Sequence, residues 1–215
     1  MKVYSLAIIS ILTIGSTLSA ATYLTTSGSF QDILKTSGET HPYPGGSLSP
    51  HAYLALADLR WADLTSADLR SAFLYGADLA LADLTGANLN GANLNGANLY
   101  NANLAGASLY NADFSNVTLY GADLIGANLI GADFYFAWLN SANFSYADLT
   151  NADLTNAWNV HTAVWMNSNL FGATLPDGYD QAWFESQGAT FVPEPSSYAL
   201  LLGGLALGLV ALRRR

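Results

Sequence analysis

Hydrophobic and polar positions from residue 52 to residue 154 follow a five-residue cycle: a small apolar side chain, a polar one, a large apolar one, then two variable positions. The large position is Leu at every fifth residue from Leu54 to Leu154, except at Phe114, Phe134 and Phe144. The small position is Ala from Ala52 to Ala152, except at Val117. An α-helix turns about 100° per residue, so side chains five apart would scatter around it and form no stripe. A straight strand fails too, because an odd period sends alternate Leu to opposite faces. Both conflicts vanish if each unit is a short extended Ala-x-Leu segment, Ala and Leu inward, closed by a two-residue corner. Gly76, Gly86, Gly91, Gly96, Gly106, Gly121, Gly126 and Gly131 all hold the second corner position, where a turn demands backbone angles that glycine tolerates.

A chain of such units winds into a solenoid with Leu stacked on Leu and Ala on Ala, successive coils lying roughly 4.8 Å apart. Units such as Ala82-Asp83-Leu84-Thr85-Gly86 and Ala87-Asn88-Leu89-Asn90-Gly91 resemble the pentapeptide-repeat family. That resemblance implies an all-β fold, a right-handed quadrilateral β-helix with four units per coil and about five coils over residues 52–175. The aromatic pairs Phe114/Phe134, Tyr100/Tyr120 and Trp138/Trp158 fit a twenty-residue coil, whereas Tyr100/Tyr110 and Phe134/Phe144 recur at ten. The residues alone therefore leave the coil length open.

A solenoid needs its ends covered, since the terminal coils otherwise expose an apolar cross-section and an open ladder. Residues 22–51 lack the repeat and are expected to form an N-terminal cap and loop, with one or two helical turns over Phe30 to Lys35 and turns at His41-Pro42-Tyr43-Pro44-Gly45-Gly46. Beyond Leu154 the cycle decays. Asn159 takes a central position, Val164 restores the phase, and a one-residue slip then brings Leu170 and Leu175 into step with Ala173. Pro176-Asp177-Gly178 predicts a turn and Gln181 to Gln187 a short helix, so 176–191 reads as the C-terminal cap.

The two ends carry addresses. Residues 1–21 combine Lys2, an apolar stretch from Val3 to Ile14 and the small residues Ser19-Ala20-Ala21, the pattern of a secretory signal peptide. Residues 192–215 begin Val192-Pro193-Glu194-Pro195-Ser196-Ser197, continue as an uncharged apolar run over 198–212 and end Arg213-Arg214-Arg215. The basic triplet favours the cytoplasmic side and places the preceding chain outside. This tripartite tail resembles the PEP-CTERM sorting signal. The resemblance implies recognition of Pro193, Glu194, Pro195, the membrane helix and Arg213, Arg214 and Arg215 by an exosortase-type processing enzyme. It further implies transient inner-membrane association through 198–212, then delivery to the cell envelope, surface or extracellular matrix.

With no cysteine in the chain, disulfides, thiol catalysis and cysteine metal sites are excluded. Residues 22–191 carry fifteen acids against Lys35, Arg60 and Arg70, a net charge of −12 that argues against a nucleic-acid groove. The family also contains acidic rods that mimic DNA; export separates this chain from such a target and makes that the weaker alternative. His41, His51 and His161 are scattered, no phosphate loop or nucleophile elbow occurs, and the chain reads as a non-enzyme with no catalytic residues and no cofactor. All repeat Asp sit at the outward position between Ala and Leu, where Asp or Asn can bond the local backbone. With a twenty-residue coil, Asp113, Asp133 and Asp153 form a column, as do Asp58/Asp78 and Asp63/Asp83, and the first of these is the candidate for a divalent cation. Turn chemistry is the simpler account of all three, and no metal is assigned.

The exceptions to the cycle are aromatic. Tyr75, Tyr100, Tyr110, Tyr120, Tyr135 and Tyr146 stand at corners, Trp138 and Trp158 replace Asp or Asn at the outward position, and Phe136 and Trp165 lie nearby. Tyr100, Tyr120, Tyr135, Trp138 and Trp158 are the candidate surface for a glycan or an envelope partner. The competing account has Trp158 and Trp165 packed beneath the cap. The sequence thus favours an exported, non-enzymatic structural or adhesive rod, with a polysaccharide- or cation-binding module as the alternative.

Overall fold

The computed structural model describes residues 20–24, 30–34 and 50–192. The leader before Ala20, the turn-rich stretch around Pro42 and the sorting segment from Pro193 lie outside the described residues. From residue 52 onward each unit is one bridged residue followed by a turn, and every bridge is parallel. Up to Trp138↔Trp158 and Asp133↔Asp153 the partner is twenty residues away, so four units complete one coil. The outward residue of each unit, such as Asp83 against Asn103, makes the bridge, which directs its two neighbours inward. Every central Leu or Phe from Leu54 to Leu154 is buried, as is every companion Ala and Val117.

One unit shows the bonding. The Asn103 N–H donates to the Ala82 carbonyl at 2.9 Å in the preceding coil, and the Leu104 N–H to the Asp123 carbonyl at 2.6 Å in the next. The corner is closed by the Ala107 N–H donating to the Leu104 carbonyl at 3.0 Å, while the Gly106 N–H reaches forward to Ile125 O at 2.8 Å. This turn puts its third residue at positive φ, and all corner positions from His51 to Asn156 comply. Eight of them are glycine and fourteen are not, including the bulky Leu56, Trp61, Phe136 and Tyr146 at φ 59, 62, 56 and 60. The ladder therefore overrides an intrinsic preference at most corners. Gly126 isolates that preference, because a Cβ built there meets no atom within 4 Å. Gly126→Ala should cost about 1 kcal/mol from backbone strain alone, read as a small drop in melting temperature with unchanged circular dichroism.

Two expectations are corrected. The first concerns Phe30 to Lys35, expected as helical turns. Phe30–Leu34 is instead a strand, β2, paired antiparallel with β1, Ala20–Leu24, in a register running from Ala20↔Leu34 to Leu24↔Phe30. Thr22, Tyr23, Phe30 and Ile33 favour extended backbone, and β1 crosses the expected leader boundary, so assigning Ala20 and Ala21 to the leader concealed the pairing partner. The second concerns the slip after Leu154. It falls before Val164: Asn159 turns left-handed at φ 59, the 3-10 turn Val160–Thr162 follows, and Val160 takes the buried place. Val164 is then the outward, bridged residue against Asn143, Trp165 is the buried one, and later bridges join residues twenty-one apart.

The C-terminal end is closed by α1, Gln181–Ser186, whose N-cap Asp180 accepts the Trp183 N–H at 2.8 Å. Phe184 from α1 is fully buried and meets Trp165 edge-on at 5.1 Å. Trp165 lies flat on Phe144 at 4.6 Å and 3°, Phe144 meets Phe134 edge-on at 5.7 Å, and Phe134 stacks on Phe114 at 5.0 Å. Past the helix the chain rejoins the ladder at Asn169↔Thr190, and the Val192 N–H donates to Asn169 Oδ1 at 3.2 Å just before the sorting segment begins.

Candidate functional site

Faces are numbered from the one centred on Leu54. Most outward Asp and Asn are occupied by the corner that follows them: Oδ1 accepts the N–H two residues on, as in Asp63 to Thr65 at 3.1 Å, Asn103 to Ala105 at 3.1 Å and Asp123 to Ile125 at 3.0 Å. That N–H has no place in the ladder, so a short side-chain acceptor answers a local need. Where Ser108 replaces Asn, Asn90 of the preceding coil supplies the acceptor for the Tyr110 N–H at 2.9 Å. The Asp columns are thus chiefly turn chemistry.

On the first face Asp113, Asp133 and Asp153 do form a continuous column. Their Oδ1 atoms take the N–H groups of Ser115, Tyr135 and Thr155 at 2.9, 2.8 and 2.9 Å. Burial raises the Asp133 carboxyl above its ordinary 3.8; the Tyr135 N–H pulls it down, and the Asp113 and Asp153 charges push it up again. Among the described residues no group of three His, Asp or Glu side chains is disposed to hold a metal ion. A folded-state value above the unfolded one means that the protonated form is favoured in the fold, and that contribution disappears as pH rises through the folded value. Asp133→Asn keeps the turn acceptor and removes two like-charge pairs, each destabilising by roughly 0.2 to 1 kcal/mol. The variant should melt higher than the parent at pH 7, with the difference closing as pH falls through the folded-state value above 3.8 and gone once pH is below 3.8; a constant difference across pH would contradict the column's electrostatics.

The Asp58/Asp78 column carries its own compensation, whereas Asp63 and Asp83 each accept the N–H two residues on, from Thr65 and Thr85. Arg60 Nε lies 2.9 Å from Asp58 and 3.4 Å from Asp78, bridging that pair, and the Asn98 amide donates to Asp78 at 3.0 Å. The Arg70 guanidinium holds Asp68 at 2.7 Å and keeps its carboxyl below the ordinary value.

The second face is different. Its outward column runs Asp58, Asp78, Asn98, Thr118, Trp138, Trp158, and its exit corner carries Tyr100 and Tyr120. Trp138 and Trp158 stack at 5.6 Å with 20° between planes, and Tyr100 and Tyr120 at 5.4 Å with 18°. Tyr135 meets Phe136 edge-on at 4.4 Å on the corner leading into this face. The candidate aromatic residues Tyr100, Tyr120, Tyr135, Trp138 and Trp158 are therefore brought together, and the two indoles are about half exposed at 48% and 49%. Trp138 also forgoes the Asp or Asn acceptor: among the described residues the Asn140 N–H finds no protein partner, a loss worth about 1 kcal/mol. Trp165, by contrast, leaves the exposed group; it lies in the core with Nε1 donating to the Val160 carbonyl at 3.1 Å.

A second cluster went unread in the sequence. Tyr53 and Phe73 pair at 6.0 Å on the first face, with Leu56 and Tyr75 exposed at the corner that follows it. Its signal was available, because Tyr53 and Phe73 are outward aromatics twenty residues apart.

An unbroken parallel ladder around a Leu and Ala core, with turns every five residues, defines a β-solenoid built from pentapeptide units. Pentapeptide repeats match in eight copies over residues 51–79, 82–119 and 118–156, and the chain belongs to the pentapeptide-repeat family, whose members form a right-handed β-helix. A PEP-CTERM protein-sorting motif matches residues 191–215. It indicates an exported protein sorted to the cell envelope or surface, and the motif implies processing by an exosortase. Neither match is to a catalytic family. Among solved structures the chain is similar to HetL, a pentapeptide repeat protein involved in heterocyst differentiation regulation from the cyanobacterium Nostoc sp. strain PCC 7120. That likeness has 34% identity and a TM-score of 0.33, covering 66% of this chain and 70% of that one. It is also similar to a pentapeptide repeat protein of the Arabidopsis thaliana thylakoid lumen, at 32% identity and TM-score 0.36, covering 46% and 66%. A third likeness, to QnrB1, a plasmid-mediated fluoroquinolone resistance protein, has 21% identity and TM-score 0.37, covering 73% and 85%. No curated protein matches the chain.

Proposed function

We propose that the mature protein is a non-enzymatic rod of about five coils, capped at both ends, that serves the envelope or extracellular polymer as a structural or adhesive element. The observation that carries this reading is where the side chains go. Leu and Ala fill the core, most outward Asp and Asn cap corners, and the second face gathers the aromatic exceptions. In this reading residues 1–21 direct export, 198–212 hold the precursor in the inner membrane, and removal of the tail near Pro193-Glu194-Pro195 releases the rod. Fractionation of producing cells with mass spectrometry of both mature termini tests it: the expected product starts near Ala21 or Thr22, lacks Arg213 to Arg215 and is found outside the inner membrane. A full-length chain in the cytoplasm would overturn the proposal and reopen the acidic DNA-mimic alternative.

A second reading is favoured by one observation, the gathering of Tyr100, Tyr120, Tyr135, Trp138 and Trp158 on one side of the rod. Exposed rings beside hydrogen-bonding groups suit polysaccharide, and delivery to an extracellular polymer would bring the two together. Its first test is retention of the exported protein on polysaccharide supports.

A further inference from the structure

The rings of the second face do not form a flat platform along the rod. Successive coils are about 4.8 Å apart, and Trp138 and Trp158 stack at 5.6 Å with 20° between planes, so the indoles lie across the rod axis and each covers one face of the other. Tyr100 and Tyr120 do the same at 5.4 Å. Such stacks offer mainly ring edges to the solvent, whereas a pyranose packs its C–H groups on a ring face.

The end of the column is the exception. Trp158 is the last residue bridged on this face among the described residues, because Asn159 and the turn Val160–Thr162 carry the chain inward immediately after it. The indole keeps one face on Trp138, no further ring stacks on it among the described residues, and the residue is 49% exposed. The same inserted turn places His161 at the exit corner, its Nδ1 3.2 Å from the Tyr179 hydroxyl. Nε2 of His161 has no partner among the described residues. Tyr179 is in turn braced edge-on by Trp183 at 4.6 Å. An indole face with no stacked ring beyond it, His161 of the inserted turn and Tyr179 of the cap thus mark the end of the face.

We propose that Trp158, His161 and Tyr179 form a terminal subsite for one pyranose unit of an uncharged polysaccharide, the sugar packing on the outer face of Trp158 with its hydroxyls bonded to His161 and Tyr179. An anionic polymer is disfavoured because a chain with net charge −12 over residues 22–191 repels it. This inference rests on the polysaccharide reading but confines binding to one end of the face.

The test uses the exported protein in affinity electrophoresis through dextran, laminarin, hydroxyethylcellulose and the anionic alginate. Retardation is expected in at least one neutral polymer and absent in alginate. Trp158→Ala should weaken it about tenfold or more, the scale of a lost aromatic anchor. Trp158→Tyr should restore part of it, and Tyr110→Ala, an exposed corner ring outside the candidate surface, should leave it unchanged; circular dichroism of each variant checks that the ladder persists. Equal losses in Trp158→Ala and Tyr100→Ala would overturn the terminal subsite while leaving the polysaccharide reading intact. No retardation of the parent protein in any polymer would overturn both, and retardation in alginate alone would overturn the uncharged specificity.

Discussion

Leu104→Asp is expected to abolish the fold, with loss of the β-signal in circular dichroism and no cooperative melt. Leu104 is wholly buried in the middle of the solenoid, in the column of Leu84 and Leu124. Truncating a buried Leu to Ala costs about 2 to 5 kcal/mol by lost burial and an unfilled cavity. A carboxylate there adds a desolvation penalty of roughly several kcal/mol, because the lumen offers no partner. Their sum rivals the total of about 5 to 15 kcal/mol that holds an ordinary domain together. The adjacent position supplies the control. Asn103→Asp puts the same carboxylate one residue away, outward, where Oδ1 already accepts the Ala105 N–H at 3.1 Å. It also sets two like-charge pairs, against Asp83 and Asp123, so that variant should melt lower than the parent by about 0.4 to 2 kcal/mol, with the ladder intact. A Leu104→Asp melt superimposable on the parent's would remove the inward assignment of the central position.

The difference between these neighbours explains what the sequence could reveal. Inward positions are subject to one strong demand, repeated every five residues, so the Leu and Ala columns announce themselves without knowledge of the coil. Coil length was harder to read because a five-residue cycle looks alike at ten, fifteen or twenty. Only bridges such as Asp113↔Asp133 and Trp138↔Trp158 distinguish them, and once twenty is established the aromatic candidates fall on one side of the rod. The one-residue slip was placed too late because Asn159 occupies the expected central position and Val164 looks like a better core residue than an outward one. The structure answers with Val160 inward and Trp165 stacked flat on Phe144, an aromatic contact that Val164 could not make. Ring orientation was beyond the sequence altogether. Spacing shows that Trp138 and Trp158 are neighbours, but only their 20° interplanar angle shows that they cover each other's faces.

Trp165→Ala is expected to cost about 3 to 5 kcal/mol and to release the C-terminal end of the rod while the remainder stays wound. Trp165 joins three parts of the end: it lies flat on Phe144, receives Phe184 of α1 edge-on and donates from Nε1 to Val160 O. Removing it leaves Phe184 with little to cover and opens the lumen behind Phe144. In a solenoid each coil contacts only its neighbours, so the damage spreads by local unwinding and weakens with distance from the site. Hydrogen exchange should therefore show lost protection at the Asn167, Leu170 and Thr190 amides, which bond across the last coil and cap. The Leu64, Leu84 and Leu104 amides should keep theirs. Trp158→Ala provides the contrast, since its indole is half exposed and touches the rod through one stacked face, worth about 1 kcal/mol. Uniform loss of protection along the rod in Trp165→Ala would mean that the repeats melt as one cooperative unit. No loss at Thr190 would mean that α1 is held by contacts other than the aromatic column. The expected gradient instead makes the end of the rod nearest the sorting tail the first part to open, and makes Trp165 the residue that keeps it closed.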